Sequence, residues 1–178
     1  MPLVNQDSLP YNTFDPQVYT KLARRIFTSI LAFCGEAKSE VPASEHVRQI
    51  VQKGIFLPEI RDEIYMQLLK QLRSNLNRFS VNKIWQLLCL SSCFFPVGTQ
   101  RDLLMYFENH MSSFENDDDF RRAASFVLEN MRKTTSQGPR ELMPSTVRAV
   151  TAQCSHRLTN MLPSSSRLKQ FWRCGRYL

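Results

Sequence analysis

The chain has 178 residues, 43% hydrophobic and 11% aromatic, enough to bury the core of one domain. Its five glycines leave no phosphate loop of the GxGxxG or GxxxxGKS kind, which excludes a nucleotide-driven enzyme or motor built on such a loop. The net charge of +7 is uneven: residues 132–178 hold nine Lys or Arg against Glu141 alone, so that quarter carries +8 and the remainder −1.

The longest apolar run, "IWQLLCLSSCFFPV", falls short of the ~20 residues a bilayer crossing needs, so no membrane span is expected. The opening "MPLVNQDSLPYNTF" lacks a basic lead and an apolar signal core, which predicts a cytoplasmic chain. Five cysteines with no CxxC pair read as reduced, mostly buried thiols. His46, His110 and His156 are not at metal-ligand spacing, and neither a metal nor a cofactor is expected.

In chain order, Asp15 before Pro16 opens a first helix, because a carboxylate can accept from free amides and proline lacks a donor where none is needed. Val18, Leu22, Ile26, Phe27, Ile30 and Phe33 form its apolar face, and Gly35 ends it. Ser44 is expected to cap a short second helix carrying Val47, Ile50 and Val51 and stopping at Gly54. Pro58 starts a third, with Ile60, Ile64, Leu68 and Leu72 as its stripe. Asp62 and Glu63 suit the positive end of that helix, whereas Arg61 does not, which predicts an ion pair from Arg61 to a carboxylate.

Ser80 is expected to cap the most hydrophobic helix, from Val81, Ile84, Trp85 and Leu88 to Phe94, with Pro96 closing it. Apolar on nearly all sides, this helix belongs at the centre. Leu103, Leu104, Phe107 and Met111 mark the next. Asp117, Asp118 and Asp119 then open a helix with Phe120, Ala124, Val127, Leu128 and Met131 inside and Arg132 and Lys133 at its end, complementing the helix dipole. The aspartate run lacks the glycine and distal glutamate of a calcium loop. Ser145 can start a further helix through Val147 and Val150, and from "LPSSS" onward the chain reads as a loosely held basic arm. The fold class is therefore all-α, a compact multi-helix bundle around a buried hydrophobic helix.

Four stretches, in order, carry a resemblance. "ARRIFTSILAFCGE", "GIFLPEIRDEIYMQLLKQLRSN", "WQLLCLSSCFFPV" and "RKTTSQGPRELMPSTVRAV" together resemble a myosin tail homology 4 domain over residues 14–152, leaving 1–13 as an extension and 153–178 as a basic tail or extra helix. In that likeness Arg61, Asp62, Glu63, Tyr65, Gln67, Gln71 and Trp85 match the family's hallmark. Arg61 and Glu63 are expected to form an ion pair and cap inside the bundle, with Gln67, Lys70 and Gln71 shaping its outer surface. The chain departs from the family pattern at "CGE" (Cys34 to Glu36), at "PVG" (Pro96 to Gly98) and at Arg148, where an acid is usual.

The resemblance implies a non-enzymatic, cytoskeleton-associated module that binds a cargo protein, microtubules or both, in a parent protein with a neighbouring FERM or RhoGAP domain. No such neighbour is expected within this chain, which reads as a fragment, a short isoform or a stand-alone module. An acidic partner such as tubulin is expected to meet Lys70, Arg73, Lys83, Arg121, Arg122, Arg132, Lys133 and Arg140. Two other function classes stay open: a regulatory part of a Rho GTPase-activating protein, and a polyanion binder using the basic arm with Phe171, Trp172 and Tyr177 interleaved, although nucleic acid is not the partner expected.

Overall fold

A computed structural model describes residues 15–73, 75–98, 101–113 and 120–140, with the helical backbone but not the side chains of residues 101–104. The described residues form six α-helices and one short 3-10 turn, with no strand. The expected segments at 117–119 and 145–150, the basic arm, Cys154 and Cys174 lie outside the described residues.

Helix α1 spans Pro16–Cys34. Asp15 Oδ1 accepts from the Gln17 N–H at 2.8 Å. At the other end Gly35 adopts φ 76°, and the Gly35 and Glu36 N–H groups donate to the Ala32 and Leu31 carbonyls, so both expected ends are found. Ile26, Ile30 and Phe33 are buried, but Val18 and Phe27 of the expected apolar face are exposed.

Helix α2 spans Ala43–Phe56, with Pro42 rather than Ser44 at the cap position and no side-chain cap bond. It runs through Gly54 instead of stopping there. The glycine is needed for space, because a Cβ on it would lie 2.2 Å from Phe95 Cε1. The 3-10 turn Pro58–Ile60 leads into helix α3, Arg61–Leu72, and the expected stripe is buried, Ile60 in the turn and Ile64, Leu68 and Leu72 on the helix.

Helix α4, Arg78–Phe94, starts a turn earlier than expected. Asn77 Oδ1 caps it by accepting from the Phe79 and Ser80 N–H groups at 3.1 and 3.3 Å. Ser80 is buried and bonded to Asn75 Nδ2. An earlier cap wins because it adds a turn of backbone hydrogen bonds while the serine hydroxyl still finds a partner. As expected, α4 is the central helix, packed against α1, α2, α3 and helix α6, Arg121–Gln137. Trp85 is fully buried and stacks on Phe120, centroids 5.3 Å apart. Helix α5, Arg101–Ser112, buries Phe107 and Met111 and packs on α6. Helix α6 runs a turn beyond Arg132 and Lys133, so these cations are not in its last turn. After α6 the Arg140 N–H donates to the Phe94 carbonyl at 2.8 Å, tying the chain back to the end of α4.

Cys34, Cys89 and Cys93 are buried free thiols. Burial, reinforced by Glu36, pushes the Cys34 thiol up to about 12. Among the described residues no helix is long and apolar enough to cross a membrane.

Candidate partner-binding surface

The hallmark stretch turns out to be mostly scaffold. Among the described residues Arg61 makes no ion pair with a carboxylate: its Nε donates to the Gly54 carbonyl at 2.7 Å and its Nη2 to that of Ile55 at 3.0 Å. These are carbonyls at the end of α2, which the helix leaves without intrahelical partners, so the guanidinium serves as a C-terminal cap for the preceding helix. Burial lowers its pKa, with no change in its charge at any ordinary pH. Asp62 accepts from the Gly98 N–H, and a Cβ on Gly98 would strike that carboxylate. Burial raises the Asp62 pKa. Tyr65, fully buried, donates to the Phe95 carbonyl at 2.7 Å, and its ring packs against Phe95 and Phe107.

Gln67 is buried, contrary to the expectation that it faces outward. Its Nε2 donates to the Ala23 carbonyl at 3.1 Å and to Glu63 Oε1 at 2.7 Å, joining α3 to α1. Its Oε1 is buried with no partner among the described residues. Glu63 therefore receives an amide, not Arg61, and α3 has no side-chain cap. Of the three residues expected outside, Lys70 is exposed and Gln71 half-buried.

The predicted cations lie on three helices and the segment after α6. Lys70 and Arg73 stand exposed at the end of α3. Lys83 is half-buried on α4, its Nζ 4.7 Å from the centre of the Phe33 ring and 5.8 Å from that of Phe79. Burial lowers its pKa, and its charge is engaged with aromatic faces. Arg121, Arg122, Arg132 and Lys133 are exposed along α6. Arg132 lies 3.8 Å from Glu108, and Lys133 pairs with Glu129. Arg140 is exposed just beyond. By element, Lys70 and Arg73 belong to α3, Arg121, Arg122, Arg132 and Lys133 to α6, and Lys83 to α4, where it packs on aromatic rings.

A groove of about 450 Å3 lies between α1 and α3. Its lining includes Ala23 and Phe27 of α1 and Glu63, Gln67 and Gln71 of α3, with Arg24 and Lys70 contributing charge. Periodicity misses it because it joins residues 44 positions apart. The Gln67 bond to Ala23 fixes the register, and steps of four along both helices place Tyr19 by Glu63 and Phe27 by Gln71. The Tyr19 pKa, raised by burial and then by the Glu63 charge, fits that register. The two helices therefore run in the same direction. Phe27, read from the sequence as part of the buried face, is exposed at the edge of this groove. Among the described residues no group of three or more His, Cys, Asp or Glu converges as a metal site.

Comparison with known proteins places this architecture. Residues 47–150 match the MyTH4 domain family model. The chain is 31% identical over 136 residues to mouse unconventional myosin-VIIb, and 29% identical over 139 residues to fruit-fly myosin-VIIa. These alignments cover 74% and 76% of the chain but only 6% of either relative. Among solved structures, the human Myosin 7b C-terminal MyTH4-FERM domain in complex with the harmonin-a PDZ3 domain superposes with a TM-score of 0.60 at 29% identity, over 72% of this chain and 27% of that one. The Dictyostelium myosin VII MyTH4-FERM MF1 domain, mutant 2, gives 0.64 at 23% identity, over 79% and 30%, a likeness of fold. The class is thus an all-helical module of the kind found in unconventional myosin tails. The chain belongs to the MyTH4 domain family.

Proposed function

We propose that this chain is a non-enzymatic, cytoplasmic interaction module that links a cytoskeletal protein to a cargo protein or to microtubules. What supports this reading is membership in a family of myosin tails together with cations exposed on α3 and α6. Binding works by surface complementarity, and the cations set encounter rate and orientation more than affinity. The operating unit is residues 14–152. That boundary is supported by α1, which lies ahead of the matched residues 47–150 yet contributes Ile26, Ile30 and Phe33 to the common core. A FERM domain beside it in the parent protein accords with the MyTH4-FERM neighbours.

Co-sedimentation with microtubules across a salt series, for the full chain and for a form cut after Pro163, tests the proposal. Binding by both forms supports a docking surface on the helical body. Binding lost with the arm turns the reading into a polyanion effect. No microtubule binding leaves a protein cargo, to be tested with purified candidates. Charge reversal of Lys70 and Arg73 to glutamate is expected to weaken binding without unfolding, and unchanged binding clears the α3 surface.

A further inference from the structure

The α1–α3 groove has features that a scaffold does not require. Its floor is set by small Ala23 and by Gln67, which ties the two helices at one level and leaves a trough beside the bond. Phe27 lines the trough and remains 37% exposed, an aromatic ring available to an apolar side chain from outside. The volume of about 450 Å3 suits one or two side chains of a docked segment.

Charge selects among occupants. Helix α1 carries Lys21, Arg24 and Arg25 and no acid, and Arg24 lines the groove. Lys70 stands on the α3 side, one turn along from Gln67. The lining carboxylate, Glu63, lies at the Tyr19 end and already accepts from Gln67. Arg24 and Lys70 both sit toward the other end. The groove therefore has a carboxylate at the Tyr19 end, Ala23 and Gln67 at its middle, and a cation from each helix beyond that level.

We infer that this groove is the docking site for an acidic peptide segment of a partner protein, one apolar side chain resting on Ala23 and Phe27 and its carboxylates meeting Arg24 and Lys70. The inference rests on the reading of the chain as an interaction module and gives that module a site and a partner chemistry. A neutral or basic segment would leave Arg24 and Lys70 facing no countercharge. Hydrophobic anchoring with flanking charge gives both affinity and orientation, where charge alone gives mainly encounter.

The probe is a short fluorescein-labelled glutamate-rich peptide with one central leucine, titrated by fluorescence anisotropy against the full chain, beside a control peptide with that leucine replaced by glutamate. The leucine peptide is expected to bind more tightly than the control. Arg24→Glu with Lys70→Glu should lower its affinity about tenfold or more. Ala23→Leu, which fills the floor, should remove the advantage of the leucine, and circular dichroism would establish that each variant is folded. If Ala23→Leu does not fold, the charge reversals and the leucine comparison still decide the matter.

Four results overturn the inference. Equal binding of the two peptides means no apolar anchor is read. Binding insensitive to the Arg24 and Lys70 reversals but lost on Arg132→Glu with Lys133→Glu moves the contact to α6. No peptide binding, with microtubule co-sedimentation intact, removes the groove while the interaction-module reading stands. Self-association of the chain that disappears in Ala23→Leu would also overturn it, by showing that a second copy fills the groove.

Discussion

Replacing Gly54 with alanine tests the packing between α2 and the end of α4. On an exposed helix the change would stabilise by about 1 kcal/mol, because alanine loses less backbone entropy than glycine. Here the new methyl would lie 2.2, 2.3 and 2.7 Å from Cε1, Cζ and Cδ1 of Phe95. The ring cannot step aside cheaply: Phe95 is fully buried, packed on Tyr65, and its carbonyl accepts the Tyr65 hydroxyl. Moving α2 instead would stretch the bond from Arg61 to the Gly54 carbonyl. Overpacking costs about 1–3 kcal/mol, and an overlap this deep between a helix and a buried ring belongs at the upper end. Net of the propensity gain, Gly54→Ala should cost about 2 kcal/mol, a fall of roughly 4–8 °C in Tm for a chain of this size. Urea unfolding followed by far-UV circular dichroism measures it. The same substitution beside Phe95→Leu should cost much less than the two singles summed, because the smaller side chain makes room. A Gly54→Ala protein as stable as the parent would refute the packing argument.

Three further outcomes are expected. Asn77→Ala should cost about 1 kcal/mol through loss of the α4 cap, while Ser44→Ala should be nearly neutral; the reverse order in urea midpoints would mean the caps are misassigned. Arg61→Met leaves two buried carbonyls of α2 without their donor and should cost about 3 kcal/mol, and Arg61→Lys should not restore it fully, because an ammonium lacks the guanidinium's fixed fork; full rescue by lysine in thermal melts would contradict this geometry. Cys34 titrates at about 12 in the fold against an ordinary value of 9.0. The neutral thiol is favoured, so its contribution to stability is complete below the unfolded value and lost as pH rises from there toward the folded one. Wild type should therefore lose more stability than Cys34→Ala over that alkaline range, and parallel pH profiles of the two would sink the assignment.

Much of the bundle could be read in advance because apolar spacing reports burial along one helix. The stripe from Ile60 to Leu72 and the all-round apolar surface of α4 are buried as their periods require. Local end signals worked where competition was absent, at Asp15 and Gly35, and failed where two candidates stood a turn apart, as with Asn77 and Ser80. Gly54 looks like a stop by type but exists for the Phe95 ring, a contact across 41 positions that no local pattern encodes. The ion pair expected of Arg61 gives way to helix-end carbonyls, which serve a guanidinium as well as a carboxylate does and are invisible in side-chain identities. The groove escaped for the same reason, since its two walls become neighbours only when α1 and α3 pack.

The Arg61 cap has a practical bearing on any measurement made at varied pH or ionic strength. A histidine at that corner would loosen it near neutrality, and an exposed ion pair would loosen it in salt. A buried guanidinium on two carbonyls responds to neither. The angle between α2 and α3 is thus held by a joint indifferent to the solution, and a partner that leaves as salt rises does so because its own contacts are screened while the surface beneath it keeps its shape.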